Sequence, residues 1–273
     1  QPEISFYTND AYYIPASLLY KSFKTMSVLA SGAVVRQVLL SAGAEESQIM
    51  AKLQPIATDM HALGNPWISY SVYLNNSFLP GLLQLMILLV TVFSIGSEMK
   101  RATSREWLRT ADDSIIIAIT GKLIPQTIIF FSMGLLYLSL LYGYLHFPMH
   151  NSIWHMIFAM FLLVVASQSF AVIIMCFAPS LRIGLSVGGL VGVLSLSIAG
   201  FSFPVPAMYL PFQAISYVLP VRHYFLIYVD QALNGIPLYY SRVHYVALIL
   251  FAVASTPLLP RLKKALMRQV YVP

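Results

Sequence analysis

Charge is scarce in this chain: only 10% of its 273 residues are Asp, Glu, Lys or Arg, and the acids number ten. Almost none of the acids falls in the long apolar runs, which argues against a transporter that relays protons through buried carboxylates. Cysteine occurs once, at Cys176 inside an apolar run, so there is no intrachain disulfide framework and no Cys-based zinc site. No Gly-x-x-x-x-Gly-Lys-Ser/Thr loop is present. Gly121-Lys122 lacks the upstream glycine and is followed by Leu123, so the chain has no phosphate loop of its own. The histidines (His61, His146, His150, His155, His223, His244) form no His-x-x-x-His pair on a shared helix, because Pro148 separates His146 from His150. No Gly-x-Ser-x-Gly elbow appears. Together these absences exclude a recognisable catalytic site, a metal site and a cofactor held by this chain. The chain also begins with Gln1 and without a signal peptide, which is expected of the C-terminal part of a longer protein.

What is abundant is apolar sequence. The hydrophobic share is 58% and the mean hydropathy is +0.75, above the roughly half that soluble domains carry. The fold class is an α-helical polytopic membrane protein: five spans plus outer re-entrant helices, with a partial α/β extracytoplasmic domain at the N-terminus. The net charge of +6 comes from residues that flank the spans, as topology signals do, and is not read as a nucleic-acid footprint.

Residues 1–77 are the soluble-looking part. Ile4–Thr8 reads as a strand. Asp10 caps a helix that carries Leu18, Leu19, Phe23, Met26, Ala30 and Ala33 at helical spacing and ends at Gly43. Glu45–Leu53 reads as a second helix, stopped before Pro55. Ile68, Tyr70, Val72 and Leu74 alternate with Trp67, Ser69, Ser71 and Tyr73, the period of a strand. Asn75-Asn76-Ser77 matches a glycosylation acceptor by chance.

Residues 78–273 form the transmembrane domain, with spans at about 78–96, 121–147, 153–178, 183–203 and 243–259, each near the roughly 20 residues needed to cross. Lys122 near the inner end of the second span is read as snorkelling to water. Gly184, Gly188 and Gly192 put a small residue at every fourth position of the fourth span, which marks a helix-packing face within the subunit or between subunits. In the segment 204–242, Pro204, Pro206, Pro211 and Pro220 cut the chain into pieces too short to cross. Irregular backbone at that depth must be buried in protein or line a wet cavity, so this segment reads as outer re-entrant helices, with Arg222, His223 and Asp230 at the polar boundary. Lys100, Arg101, Arg105, Arg109, Arg182 and the basic tail (Arg261, Lys263, Lys264, Arg268) place the loop and C-terminus in the cytoplasm and residues 1–77 outside.

The longest charged run is the loop 97–114, centred on Glu98–Asp113. Thr103-Ser104-Arg105-Glu106 reads as a capping box with Thr103 as N-cap. The short helix that follows groups Trp107, Leu108 and Ala111 on one face. Either it docks on a partner, or it lies among the headgroups with Trp inward.

These features, in this order, resemble the permease subunit of type-2 ABC exporters, in the subgroup with a large extracytoplasmic domain between the first two spans. Asn65-Pro66, Tyr70 and Phe78-Leu79-Pro80-Gly81 are similar to the start of that family's second span. Glu98, Thr103, Glu106 and Leu108 resemble its Glu…Gly-Thr…Glu-x-Leu loop, and Gly121-Lys122 with Pro125 its Gly-Lys-x-x-Pro segment. Phe203-Pro204, Met208, Pro211, Pro220 and Tyr224 resemble its outer re-entrant helices. Two departures stand out: Ala102 replaces the usual glycine, and one extra residue separates Thr103 from Glu106.

The resemblance implies an ATP-driven exporter in the bacterial inner membrane. ATP and magnesium would be bound by a separate ABC ATPase subunit, and a second permease copy would pair with the first. Membrane lipid surrounds the pair, and a periplasmic adaptor is a further implied partner. It makes the loop a coupling helix, with ATPase contacts at Glu98, Thr103, Arg105, Glu106, Trp107 and Leu108, and an outer gate at Pro204, Pro211, Pro220 and Tyr224. A transporter working without an ATPase, a membrane-embedded sensor or assembly subunit, and a membrane enzyme are the competing readings; the substrate is not encoded in any motif.

Overall fold

The computed structural model describes residues 4–9, 13–43, 58–63 and 69–268, and divides into units Gln1–Tyr73 and Leu74–Pro273. In the first unit, strands β1 (Ile4–Asn9) and β2 (Thr58–Leu63) pair in parallel, with Ile4 opposite Thr58 and Asn9 opposite Leu63. Parallel strands need a long crossover, and helix α1 (Tyr13–Ser41) lies between them in the chain. Gly43, at φ +79°, follows its end, as expected of a C-terminal glycine. Phe23 stacks on Phe6 of β1, with ring centroids 4.2 Å apart. The buried face of α1 is not the expected one. Ala16, Ser27 and Ser31 are buried while Leu18, Leu19 and Met26 are exposed, because the stacking on Phe6 fixes the helix's rotation. The proposed helix Glu45–Leu53 lies outside the described residues.

The alternating strand expected at Trp67–Leu74 does not form where the chain is described. Helix α2 runs from Tyr70 to Lys100, so the span begins well before Phe78. No glycine or proline separates Tyr70 from the apolar run, and Asn76 is buried with its side-chain carbonyl accepting from Tyr142 Oη at 3.0 Å. A short helix α3 (Ser104–Arg109) follows. Then come α4 (Ile115–Leu138, continued by a π-helical turn Ser139–Tyr144), α5 (Ile153–Phe177) and α6 (Leu181–Ile198). Beyond these lie α7 (Leu210–Tyr217), α8 (Pro220–Tyr228, continued by a π-helical turn Val229–Leu233), α9 (Leu238–Val253) and α10 (Leu259–Arg268). Among the described residues, six helices are long and apolar enough to cross a membrane: the five segments containing α2, α4, α5, α6 and α9–α10, and Pro15–Ser41 of α1.

α5 is apolar on every side and is the most buried of these, an arrangement open to an all-round apolar helix, which can face either protein or lipid. It packs on α4, α8 and α9. α9 starts at Leu238, ahead of the expected Val243, with Pro237 as its N-cap and the exposed Arg242 stacked 3.9 Å over the Tyr239 ring.

The glycines of α6 are packed within the subunit, against α2, in a reciprocal antiparallel pattern. A Cβ on Gly192 would lie 2.3 Å from Leu85 Cδ1, and one on Gly184 2.9 Å from Val92 Cγ1. In return, a Cβ on Gly81 would lie 2.4 Å from Leu196 Cδ2, and one on Gly96 3.0 Å from Leu181 Cα. Each large residue sits over a glycine of the other helix, so the two backbones approach closely. Gly188 is looser, with Val92 Cγ2 at 3.6 Å from its would-be Cβ. We therefore expect Gly188→Ala to be neutral or to stabilise by up to about 1 kcal/mol, the usual helical gain. Gly192→Ala and Gly96→Ala should each cost of order 1 kcal/mol or more through overpacking. Thermal unfolding of the detergent-solubilised variants checks the ranking.

Candidate functional site: the charged loop and its clamp

α2 ends in a Schellman turn. The Thr103 N–H donates to the Glu98 carbonyl at 3.0 Å and the Ala102 N–H to the Met99 carbonyl at 3.3 Å, with Ala102 left-handed at φ +57°. This is the geometry for which glycine is the favoured residue, so Ala102 holds a conformation that costs an L-residue roughly 1–2 kcal/mol. The loop leaves through a second turn of the same bonding pattern. There Asp113 N–H donates to the Leu108 carbonyl at 2.9 Å and Asp112 N–H to that of Arg109 at 3.2 Å, with both aspartates at positive φ.

The expected capping box does not form. Thr103 makes no side-chain cap; its hydroxyl donates to Glu98 Oε2 instead, a charged acceptor that outcompetes a helix end. The Thr103 N–H is already bonded, so nothing is left for Glu106 to accept.

Lys122 does not snorkel. From α4 its Nζ lies 2.6 Å from Glu98 Oε1, donates to the Ser94 carbonyl at 2.8 Å and sits 4.3 Å above the Trp107 ring. Both charged side chains are largely shielded, at 19% and 23% exposure, which strengthens their attraction. Glu98, Thr103, Trp107 and Lys122 thus form one clamp across α2, the turn, α3 and α4.

The other expected contact residues separate. Leu108 is completely buried and Ala111 nearly so, within a core shared by α2, α4, α5 and α10. Arg105, Glu106 and Arg109 are exposed. Arg105 donates to the Met267 carbonyl at 3.2 Å, and Lys263 to that of Asp113 at 2.5 Å, so α10 is tied to both sides of α3. Lys122, part of the Gly-Lys-x-x-Pro segment, is the clamp member that the sequence does not group with the loop residues. Its signal was isolation: it is the only Asp, Glu, Lys or Arg between Asp113 and Arg182.

At the opposite end of the bundle the prolines stand at helix starts, where their missing N–H costs nothing. Pro204 precedes a 3-10 turn, Pro211 lies in the first turn of α7, and Pro220 opens α8. α8 is buried almost throughout, Tyr224 included, whereas α7 exposes Tyr209, Leu210 and Tyr217 around it. Gln84 of α2 accepts from the Val221 N–H at 2.8 Å and donates to Ser195 Oγ at 3.1 Å. Arg222 and His223 are inside the protein, not at a polar boundary. The Arg222 guanidinium donates to the Ala199 carbonyl and Ser216 Oγ, both at 3.3 Å, and lies 4.7 Å from the Tyr217 ring. Gly200, at φ +101°, leaves room for it, since a Cβ there would be 2.7 Å from the guanidinium. Folding also brings His223 and His244 together, 3.4 Å between Nδ1 atoms, a pair that their sequence separation concealed. Among the described residues, no group of three or more His, Cys, Asp or Glu could hold a metal ion.

A family model described as ABC-2 family transporter protein matches residues 1–259. The chain belongs to this family. As an ABC-2 family transporter protein it is a multi-pass membrane component of a transport system. No curated protein and no solved structure matches the sequence.

In this ABC-2 family protein, Lys122→Met should be more destabilising than Lys122→Arg. It leaves the largely shielded Glu98 carboxylate with the Thr103 hydroxyl but no counter-charge, at a cost of roughly 1–3 kcal/mol. Ala102→Gly should stabilise by up to about 1 kcal/mol by relieving the left-handed turn. Melting temperatures of the purified variants check both signs.

Proposed function

We propose that this chain is the membrane-spanning subunit of an ATP-driven exporter of the bacterial inner membrane, worked by a separate ATPase subunit that pushes on α3. The observation that carries this reading is the division of α3 into two faces. Leu108 and Trp107 are sunk into the bundle and the clamp, while Arg105, Glu106 and Arg109 face away from it. A helix of six residues has little stability of its own, so its rigidity comes from that anchor. In this reading Trp107 and Leu108 transmit the push, Glu98 and Thr103 hold the geometry, and Arg105, Glu106 and Arg109 meet the ATPase.

The N-terminal unit lies outside the bilayer on the extracytoplasmic side in this proposal, although α1 is long and apolar enough to cross. The parallel pairing of β1 with β2 starts both strands at one end, so a spanning α1 would require residues 42–57 to cross back. That stretch carries Glu45, Glu46 and Lys52, which hydrocarbon does not admit. α1 is better suited to a βαβ crossover, and this unit is then the surface for a periplasmic adaptor. A second permease copy completes the transporter, with the substrate path between the copies and Pro204, Pro211, Pro220 and Tyr224 framing its outer gate.

Co-expression with the ATPase tests the coupling. Arg105→Glu with Arg109→Glu should leave the chain inserted and folded but remove the ATPase from the purified complex; undiminished association refutes the docking face. Leu108→Ala should cost about 2–5 kcal/mol in stability, retain the ATPase and lower transport per ATP hydrolysed.

A further inference from the structure

α10 has a second face. Leu259, Leu262 and Leu266 are buried against the bundle, and Lys263 and Arg105 hold the helix beside α3. On its other side Arg261, Lys264 and Arg268 line a cleft of about 280 Å³, together with Cys176, Phe177 and Pro179 from the end of α5 and the turn after it. None of the residues lining the cleft is acidic. Arg261 lies 4.7 Å from the Phe177 ring, which fixes the guanidinium at the rim. Phe177 is 58% exposed and is the last residue of a membrane-compatible helix.

We propose that this cleft binds the headgroup of an anionic phospholipid. Three cations line one cleft with no acid among its described lining residues, and a basic pocket at a spanning helix's end suits a lipid phosphate. A water takes up about 30 Å³, so the cleft has room for more than a bare phosphate and accommodates a glycerol headgroup. The exposed Phe177 beside the cations supplies the apolar flank along which an acyl chain lies. A dock for an acidic protein surface would use the cations without needing that flank. The inference requires only that the chain is embedded in a membrane, and stands apart from the coupling mechanism.

The test uses the full chain, purified in detergent without an ATPase. Dioctanoyl phosphatidylglycerol, dioctanoyl phosphatidylcholine and inorganic phosphate are compared by native mass spectrometry and thermal shift. Phosphatidylglycerol should bind one per chain and raise the melting temperature, while phosphatidylcholine and phosphate should do neither. The triple change Arg261→Gln, Lys264→Gln, Arg268→Gln should weaken phosphatidylglycerol binding at least about tenfold, with Arg242→Gln as an unaffected control. If the triple variant does not insert, Lys264→Gln alone should weaken binding roughly fivefold. Equal binding of the two lipids, or unchanged binding by the variant that is used, overturns the proposal. Protection by phosphate alone assigns the cleft to a free anion. Loss of ATPase association in the triple variant with lipid binding intact assigns it to a protein partner; either result refutes the lipid site.

Discussion

Hydrocarbon offers a broken helix no hydrogen-bond partner, and the end of the bundle opposite the charged loop is arranged around that constraint. The segment from Pro204 to Pro237 is interrupted by prolines, a 3-10 turn and a π-helical turn, so its backbone must be satisfied from within the chain. Gln84 accepts from the start of α8, and Arg222 takes the carbonyl of Ala199 where α6 ends. Asn151 joins Gln231 at 2.9 Å and the Ile236 carbonyl at 3.1 Å, closing the far side of the same segment. α7, exposed and aromatic, screens this polar interior. Gln84, Arg222 and Asn151 are therefore structural connectors to places where regular helix stops, while Thr127 and Gln168 join α4 to α5 at 2.8 Å in mid-helix.

At the charged end the same economy holds with ions instead of amides. α3 is too short to stand by itself, and the chain turns sharply on both sides of it. The Glu98–Lys122 pair, the Thr103 hydroxyl and the Trp107 ring close one side, and Leu108 fills the core on the other. Arg105, Glu106 and Arg109 remain exposed because the other faces of α3 are occupied.

Membership of the family and the polytopic helical fold could be read from block hydropathy and spaced motifs, since both depend on residues near in sequence. α5 was legible as a span from its unbroken apolar run, but its central place was not, because an apolar helix can face either lipid or protein. The α6 glycines were legible as a packing face, but their partners Gly81 and Gly96 on α2 were not, because a lone glycine carries no period. The start of α2 was misread because Ile68–Leu74 alternates like a strand, whereas burial of Asn76 among tyrosines of α4 decides for helix. Thr103 shows the same limit in the loop: its spacing to Glu106 fits a capping box, but the nearer charge of Glu98 captures the hydroxyl. Long-range partners override local patterns at each of these places, and Lys122 reaching back to α2 is the clearest case.

Gln84 and Glu98 sit on one uninterrupted stretch of α2, about 21 Å apart at ~1.5 Å per residue. Pro80 lies outside that stretch. One end is bonded to the first peptide of α8 and the other to the lysine of α4. A single length of α2 thus joins the ionic clamp at one end of the bundle to the start of the buried helix α8 at the other.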